Sequence, residues 1–223
     1  MLLPIENLLT AAEAEEFRLA LEPAGWADGR ITAGHQSALA KRNLQLPQHD
    51  ALAQQLATRL LERLASHPLF IAAALPHKVF PPLFNAYRDG MDFGSHIDNA
   101  IRGDEDKLRT DISCTLFLSP RDSYDGGELV VEDLYGSHAV KLGAGSLVLY
   151  PASSLHRVTP VTRGVRYASF FWVQSLVRDP LQRRMLLDLD LSIQGLRRAH
   201  GESAELVTLS GLYHNLLRRW ADL

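Results

Sequence analysis

The chain has 223 residues, is 46% hydrophobic and 22% charged, and carries a formal net charge of −3. That suits one large globular domain, or a domain with a small appendage, and lacks the basic footprint of a nucleic-acid-binding protein. Its single cysteine, Cys114, excludes an internal disulfide and a cysteine-rich zinc site, and fits a reducing cytoplasm.

The N-terminal stretch MLLPIENLLTAAEAEEF has no basic region and meets acidic residues early, unlike a signal peptide. No run approaches the ~18 apolar residues needed to span a membrane, so no membrane partner is expected. Thr10 and Glu13 form a capping box that opens a helix over AAEAEEFRLALE. The segment GWADGRITAGHQSALAKRNLQLP is mixed and turn-rich. Leu52, Leu56, Leu60 and Leu64 repeat every fourth residue, which predicts an amphipathic helix over about 49–66. Pro68, Pro76, Pro81 and Pro82 then oppose helix.

From 78 to about 175 the pattern becomes a series of short β-rich runs, including VFPPLFNAY, DISCTLFLS, GELVVED, SLVLYP and VRYASFFWV. Turn signals such as DG, DGG, YGS, GAG and TRG separate them, as in a β-sandwich or barrel. Cys114, inside ISCTLFL, reads as a small core residue. The polar segment 102–110 reads as a rim, either lid or solvated loop, and DGGEL as a structural hairpin. After Val177 the character is helical, with Asp179 as cap, Pro180 in the first turn and Gly201 as stop. Leu206, Leu209, Tyr213, Leu216 and Trp220 form a final apolar stripe that packs on the β core or on a second subunit, which admits a homodimer. The chain thus divides into an N-terminal helical and mixed support region (1–77), a β core (78–178) and a helical extension (179–223).

Within FGSHIDNAIRG, His96 and Asp98 stand two apart. Nine His and 15 Asp in this chain would produce about 0.6 such triplets by chance, so the triplet needs support. On a strand, residues i and i+2 share a face, and a His with a carboxylate supplies two ligands of a facial metal site. A third ligand must come from another strand. His35, His49, His67, His77, His200 and His214 sit in helical or turn contexts or before the β region. Of the remaining two, His138 is close to a turn, whereas His156 follows the apolar run SLVLYP and is favoured. If the next turn centres near Thr162, Arg166 pairs with Val158 and lies diagonally, roughly 7–8 Å, from His156. An arginine directed into a barrel calls for an anion, and a guanidinium suits a carboxylate. A co-substrate that chelates iron(II) at one end and carries a carboxylate at the other fits, and 2-oxoglutarate has that shape.

The segments NAYRDGMDFGSHIDNAIRG, RTDISCTLFLSPRDSYDGGELVVED and GAGSLVLYPASSLHRVTPVTRGVRYASFFWVQSLVRD, with GHQSALAKRNLQLP before them, resemble the iron(II)/2-oxoglutarate-dependent dioxygenases of the prolyl 4-hydroxylase type. More closely, they resemble the bacterial PKHD-type hydroxylases, along nearly the whole chain. The resemblance implies a mainly β fold with added α: a double-stranded β-helix (jelly-roll) dioxygenase core over 78–178, N-terminal supporting helices and a C-terminal helical extension. It implies that His96, Asp98 and His156 ligate iron, that Arg166 binds 2-oxoglutarate, and that Tyr87 contacts the co-substrate. Phe117 stands where some relatives carry a tyrosine, and cannot donate that hydrogen bond. O2 would be the second co-substrate and L-ascorbate the reductant that keeps iron reduced. The implied reaction hydroxylates an unactivated C–H of a small-molecule or peptidyl substrate and converts 2-oxoglutarate to succinate and CO2. Asp98 favours hydroxylation over halogenation, because related halogenases lack the carboxylate. A cupin-like non-redox metal enzyme, which needs no Arg166, and a non-catalytic iron/2-oxoglutarate sensor are the rival readings.

Overall fold

The computed structural model describes residues 1–32 and 39–223; His35 and part of the GHQSALAKRNLQLP segment lie outside them. Two antiparallel sheets face each other in a jelly roll. In spatial order the larger has β1 (Leu3–Ile5), β14 (Leu147–Pro151), β10 (Ile112–Phe117), β17 (Arg166–Ser175), β6 (Leu83–Tyr87), β4 (Leu44–Gln45) and β2 (Ala27–Asp28). Strand β5 (Pro76–Val79) also pairs with β17. The smaller sheet runs β13 (Gly136–Val140), β12 (Leu129–Asp133), β15 (His156–Val158), β7 (Asp92–His96) and β3 (Lys41–Arg42). The turn-rich segment before residue 47 therefore supplies strands to both sheets.

The period of two along each strand sorts the larger sheet into two faces. Cys114, Leu116, Phe84, Phe171, Leu147 and Leu149 join one apolar cluster with helix α1 (Ala11–Leu21) and helix α2 (Ala51–Ser66). Phe17 of α1 meets Phe84 with ring centroids 6.4 Å apart. Each large apolar side chain buried there contributes roughly 1.5–3 kcal/mol. The intervening residues, among them Asn85, Tyr87, Ser113, Thr115 and Arg166, line a pocket between the sheets.

The expected caps are present. Thr10 and Glu13 close the capping box on α1, and Asp50 accepts from the Leu52 and Ala53 amides at the start of α2. Pro68, expected to stop helix, instead opens α3 (Pro68–Ala74). At the first position its missing N–H and fixed φ cost nothing. Asp179 caps α4 (Pro180–His200), and Gly201 ends it at φ 74°. Helix α5 (Ala204–Trp220) turns back onto the chain: Tyr213, Leu216 and Trp220 pack against the cluster of Leu75, Val177 and Leu186. These three residues of the C-terminal stripe are thus partly buried within the chain. No helix among the described residues is long and apolar enough to cross a membrane.

Two local expectations change. Strand β15 does not form a hairpin with β17. It pairs with β12 and β7 in the smaller sheet, while β17 lies between β10 and β6 in the larger one. The chain crosses between sheets through β16 (Val161–Arg163), which pairs with β11 (Asp125–Gly126). Arg166 consequently stands opposite Tyr87, not Val158. The polar segment 102–110 is also not an open loop, because β8 (Ile101–Arg102) and β9 (Leu108–Arg109) pair as a short hairpin.

Candidate active site

His96 closes β7 and sits directly opposite His156 on β15. Asp98 is two residues beyond the strand end, so the strand carries one of the pair and its exit carries the other. One ligand atom from each of His96, Asp98 and His156 falls within 4.8 Å of the other two. His138, the histidine ranked lower, is half-exposed on β13 and pairs with Asp133 at 3.1 Å.

The register of β7 slips against β15: His156 faces His96, yet Val158 faces Phe93. The extra residue on β7 is a bulge, which re-aims side chains. It brings the Phe93 ring onto the His96 imidazole, 3.6 Å between centroids and 16° between planes. Each imidazole is also held from behind. His96 Nδ1 donates to the Gly94 carbonyl at 2.8 Å, and His156 Nδ1 donates to the Ser154 carbonyl at 3.0 Å. Those bonds assign the proton to Nδ1 and leave both Nε2 lone pairs for a metal. Burial, then the neighbouring His156, pushes the His96 pKa down, so the imidazole is in its ligating neutral form. Ser113 Oγ donates to Asp98 Oδ2 at 2.5 Å and orients the carboxylate. Two imidazoles and one carboxylate, each fixed by an outer partner, are a donor set suited to iron(II) with open positions.

Arg166 is 1% exposed. Its Nε donates to the Gly127 carbonyl at 2.9 Å, and its guanidinium lies over the Tyr87 and Phe117 rings at 5.3 and 5.2 Å. No carboxylate among the described residues forms an ion pair with it. A buried guanidinium without a carboxylate partner among the described residues needs an anion. Phe117 therefore contributes a ring face, and Tyr87 lines the same pocket, its hydroxyl pKa raised by burial to about 12.

Sequence reasoning missed what DGGEL does. Gly127 has φ +68°, and a Cβ there would approach Arg166 Cδ, Tyr124 Cε2 and Val161 Cγ2 to 2.9 Å each. The second glycine thus makes room for the arginine and supplies its carbonyl partner. The double glycine was the available signal. Asp125 pairs outward with Arg163 and Glu128 meets Thr159, so neither acidic residue of the motif enters the site.

Comparison with known proteins identifies the family. A family model described as the 2OG-Fe(II) oxygenase superfamily matches residues 82–174, and one described as the PKHD-type hydroxylase C-terminal domain matches 181–222. A PKHD-type hydroxylase of Pseudomonas putida strain W619 is 59% identical over 226 aligned residues, covering 100% of both chains. The chain belongs to the PKHD-type hydroxylases. PKHD-type hydroxylase PiuC of Pseudomonas aeruginosa strain PAO1 is 58% identical, again over 100% of both chains. A crystal structure of a prolyl 4-hydroxylase from Pseudomonas putida shares the fold at TM-score 0.54 and 21% identity, covering 78% of this chain and 92% of that one. Membership makes the protein an iron(II)/2-oxoglutarate dioxygenase and leaves the cupin-like and sensor readings without support.

Proposed function

We propose that His96, Asp98 and His156 hold iron(II), that Arg166 binds the distal carboxylate of 2-oxoglutarate beside Tyr87, and that the enzyme hydroxylates an unactivated C–H. The buried Arg166 without a carboxylate partner, in the same pocket as the metal-ligand cluster, carries this reading. The chemistry supplied by the bound metal and co-substrate is O2-dependent oxidation coupled to loss of CO2 and formation of succinate.

The chain's own residues provide position and exclusion of water. Gly94 and Ser154 carbonyls set the imidazole tautomers, and Ser113 holds one Asp98 oxygen, leaving the other directed by the same contact. Arg166 sets how deep the co-substrate sits, with Tyr87, Phe117 and Leu129 closing apolar surface around it. L-ascorbate as reductant and a cytoplasmic setting complete the proposal.

The test is an anaerobic titration of metal-free protein with iron(II) and 2-oxoglutarate, read by the weak visible charge-transfer band of the chelate. The band should require His156 and should need far more 2-oxoglutarate in Arg166→Ala. Folded, iron-loaded protein that gives no band would sink the assignment.

A further inference from the structure

The outer part of the pocket carries a second cationic group that the co-substrate does not use. Arg102, on the β8–β9 hairpin, places its guanidinium carbon over the Trp172 ring, 4.1 Å from the centroid, and 5.6 Å from the Phe80 centroid. No carboxylate among the described residues forms an ion pair with it. Trp172 is six residues beyond Arg166 on β17, about 20 Å along an extended strand, so the two arginines mark opposite ends of one pocket. Lys41 enters from the edge strand of the smaller sheet. It is 4% exposed, lies 5.5 Å from the Phe93 and Phe170 ring centres, and donates to Gln45 Oε1 at 2.9 Å. Gln45 stands opposite Asn85, whose buried Oδ1 has no hydrogen-bond partner among the described residues.

The charges lining this pocket are unequal. Lys41, Arg102 and Arg166 face Asp98 as the one acidic residue among the described residues that line it. A divalent metal and dianionic 2-oxoglutarate offset one another, and Asp98 offsets one of the three cations. Lys41 is engaged by Gln45, and Arg102 remains, beside the Trp172 and Phe80 rings. Burial, with Arg102 adding to it, pushes the Lys41 pKa down to about 8, which leaves the ammonium mostly charged at neutral pH. A guanidinium resting on an indole and without a carboxylate partner among the described residues suits an anion it can hold bidentately.

Resting on the dioxygenase reading above, the geometry points to an acid as the substrate: a carboxylate on an aromatic or other planar apolar body, bound by Arg102 with Lys41 beside it. The body lies against Trp172 and Phe170, with its reacting carbon toward the His96–Asp98–His156 level. A peptidyl proline offers no charge at the reacting residue and does not match these groups.

The probe pair is benzoate and its neutral counterpart benzamide. Each is titrated into full-length protein loaded with zinc(II) and saturated with 2-oxoglutarate, and binding is read by quenching of tryptophan fluorescence. Benzoate should bind at least tenfold more tightly than benzamide. Arg102→Gln should remove that preference, and Arg102→Lys should restore part of it, which separates charge from misfolding. Equal affinities, no binding of benzoate, or a preference that survives Arg102→Gln overturns the inference. A preference that disappears in Arg166→Gln alone places the acid in the co-substrate position and overturns it too. The iron(II)/2-oxoglutarate band of the same wild-type preparation reports separately on the metal site. Its absence defeats the dioxygenase assignment, whereas a normal band without acid preference defeats only the substrate class.

Discussion

Arg166 and Arg102 are two arginines in one pocket, and each lies against aromatic rings. Their supports differ. Arg166 begins a ten-residue central strand, faces Tyr87 across the ladder and is anchored by the Gly127 carbonyl. Arg102 ends a two-residue strand in a short hairpin and lies over an indole ring. A charge held by sheet and backbone suits a ligand that is the same in every turnover. A charge held by a ring on a short hairpin suits the partner that varies between enzymes, because such a hairpin can change without disturbing the core.

Substitutions can break that comparison, beginning between the two ends. Asp98→Ala removes a metal ligand and leaves Ser113 without its acceptor. Hydroxylated product should fall below detection in an assay that follows succinate and product together; wild-type hydroxylation with iron bound would refute the ligand role. Arg166→Gln should raise the apparent Kd for 2-oxoglutarate by about two orders of magnitude or more, as expected for truncating one partner of a buried charge pair, measured by the anaerobic titration. Gly127→Ala tests how the arginine is supported. Its positive φ and the three 2.9 Å approaches predict a loss of about 1–3 kcal/mol in denaturant unfolding, together with weaker 2-oxoglutarate binding.

The outer end should respond less. Trp172→Leu removes the surface on which Arg102 rests and should weaken benzoate binding several-fold, in line with a cation–π contact of about 0.5–2 kcal/mol. An unchanged benzoate affinity would show that Arg102 is oriented by something other than the indole. Remote from both ends, Asp179→Ala deletes the cap of α4. It should cost about 1 kcal/mol of stability, seen as a small drop in Tm, with the 2-oxoglutarate titration as the comparison.

Much of the site was legible from residue order because its constraints are local. Helix caps such as Thr10 with Glu13 and Asp179 before Pro180 act within one turn, and the structure contains them. The spacing of His96 and Asp98 and the choice of His156 over His138 followed from strand periodicity and turn signals, and the three groups converge. Arg166 was also placed in the pocket, but through a hairpin with Val158 that does not exist. The parity of Arg166 along its own strand was enough to turn it inward, while the identity of its neighbour depended on strands eighty residues away in sequence.

Arg102 and Lys41 were not legible as pocket residues, nor was the service of Gly127 to Arg166. Read along the chain, 102–110 is a polar stretch and 41–45 part of a mixed one. Only the packing of two sheets brings β3, β8 and the end of β17 around one cavity. The amino-acid sequence by itself determined the periodicity, the caps, the ligand types and the family, because sterics and hydrogen bonding within a few residues set them. The tertiary structure decided which strands are neighbours, where the chain crosses between sheets and which charges share the pocket, because those outcomes come from burying the inner faces of both sheets at once.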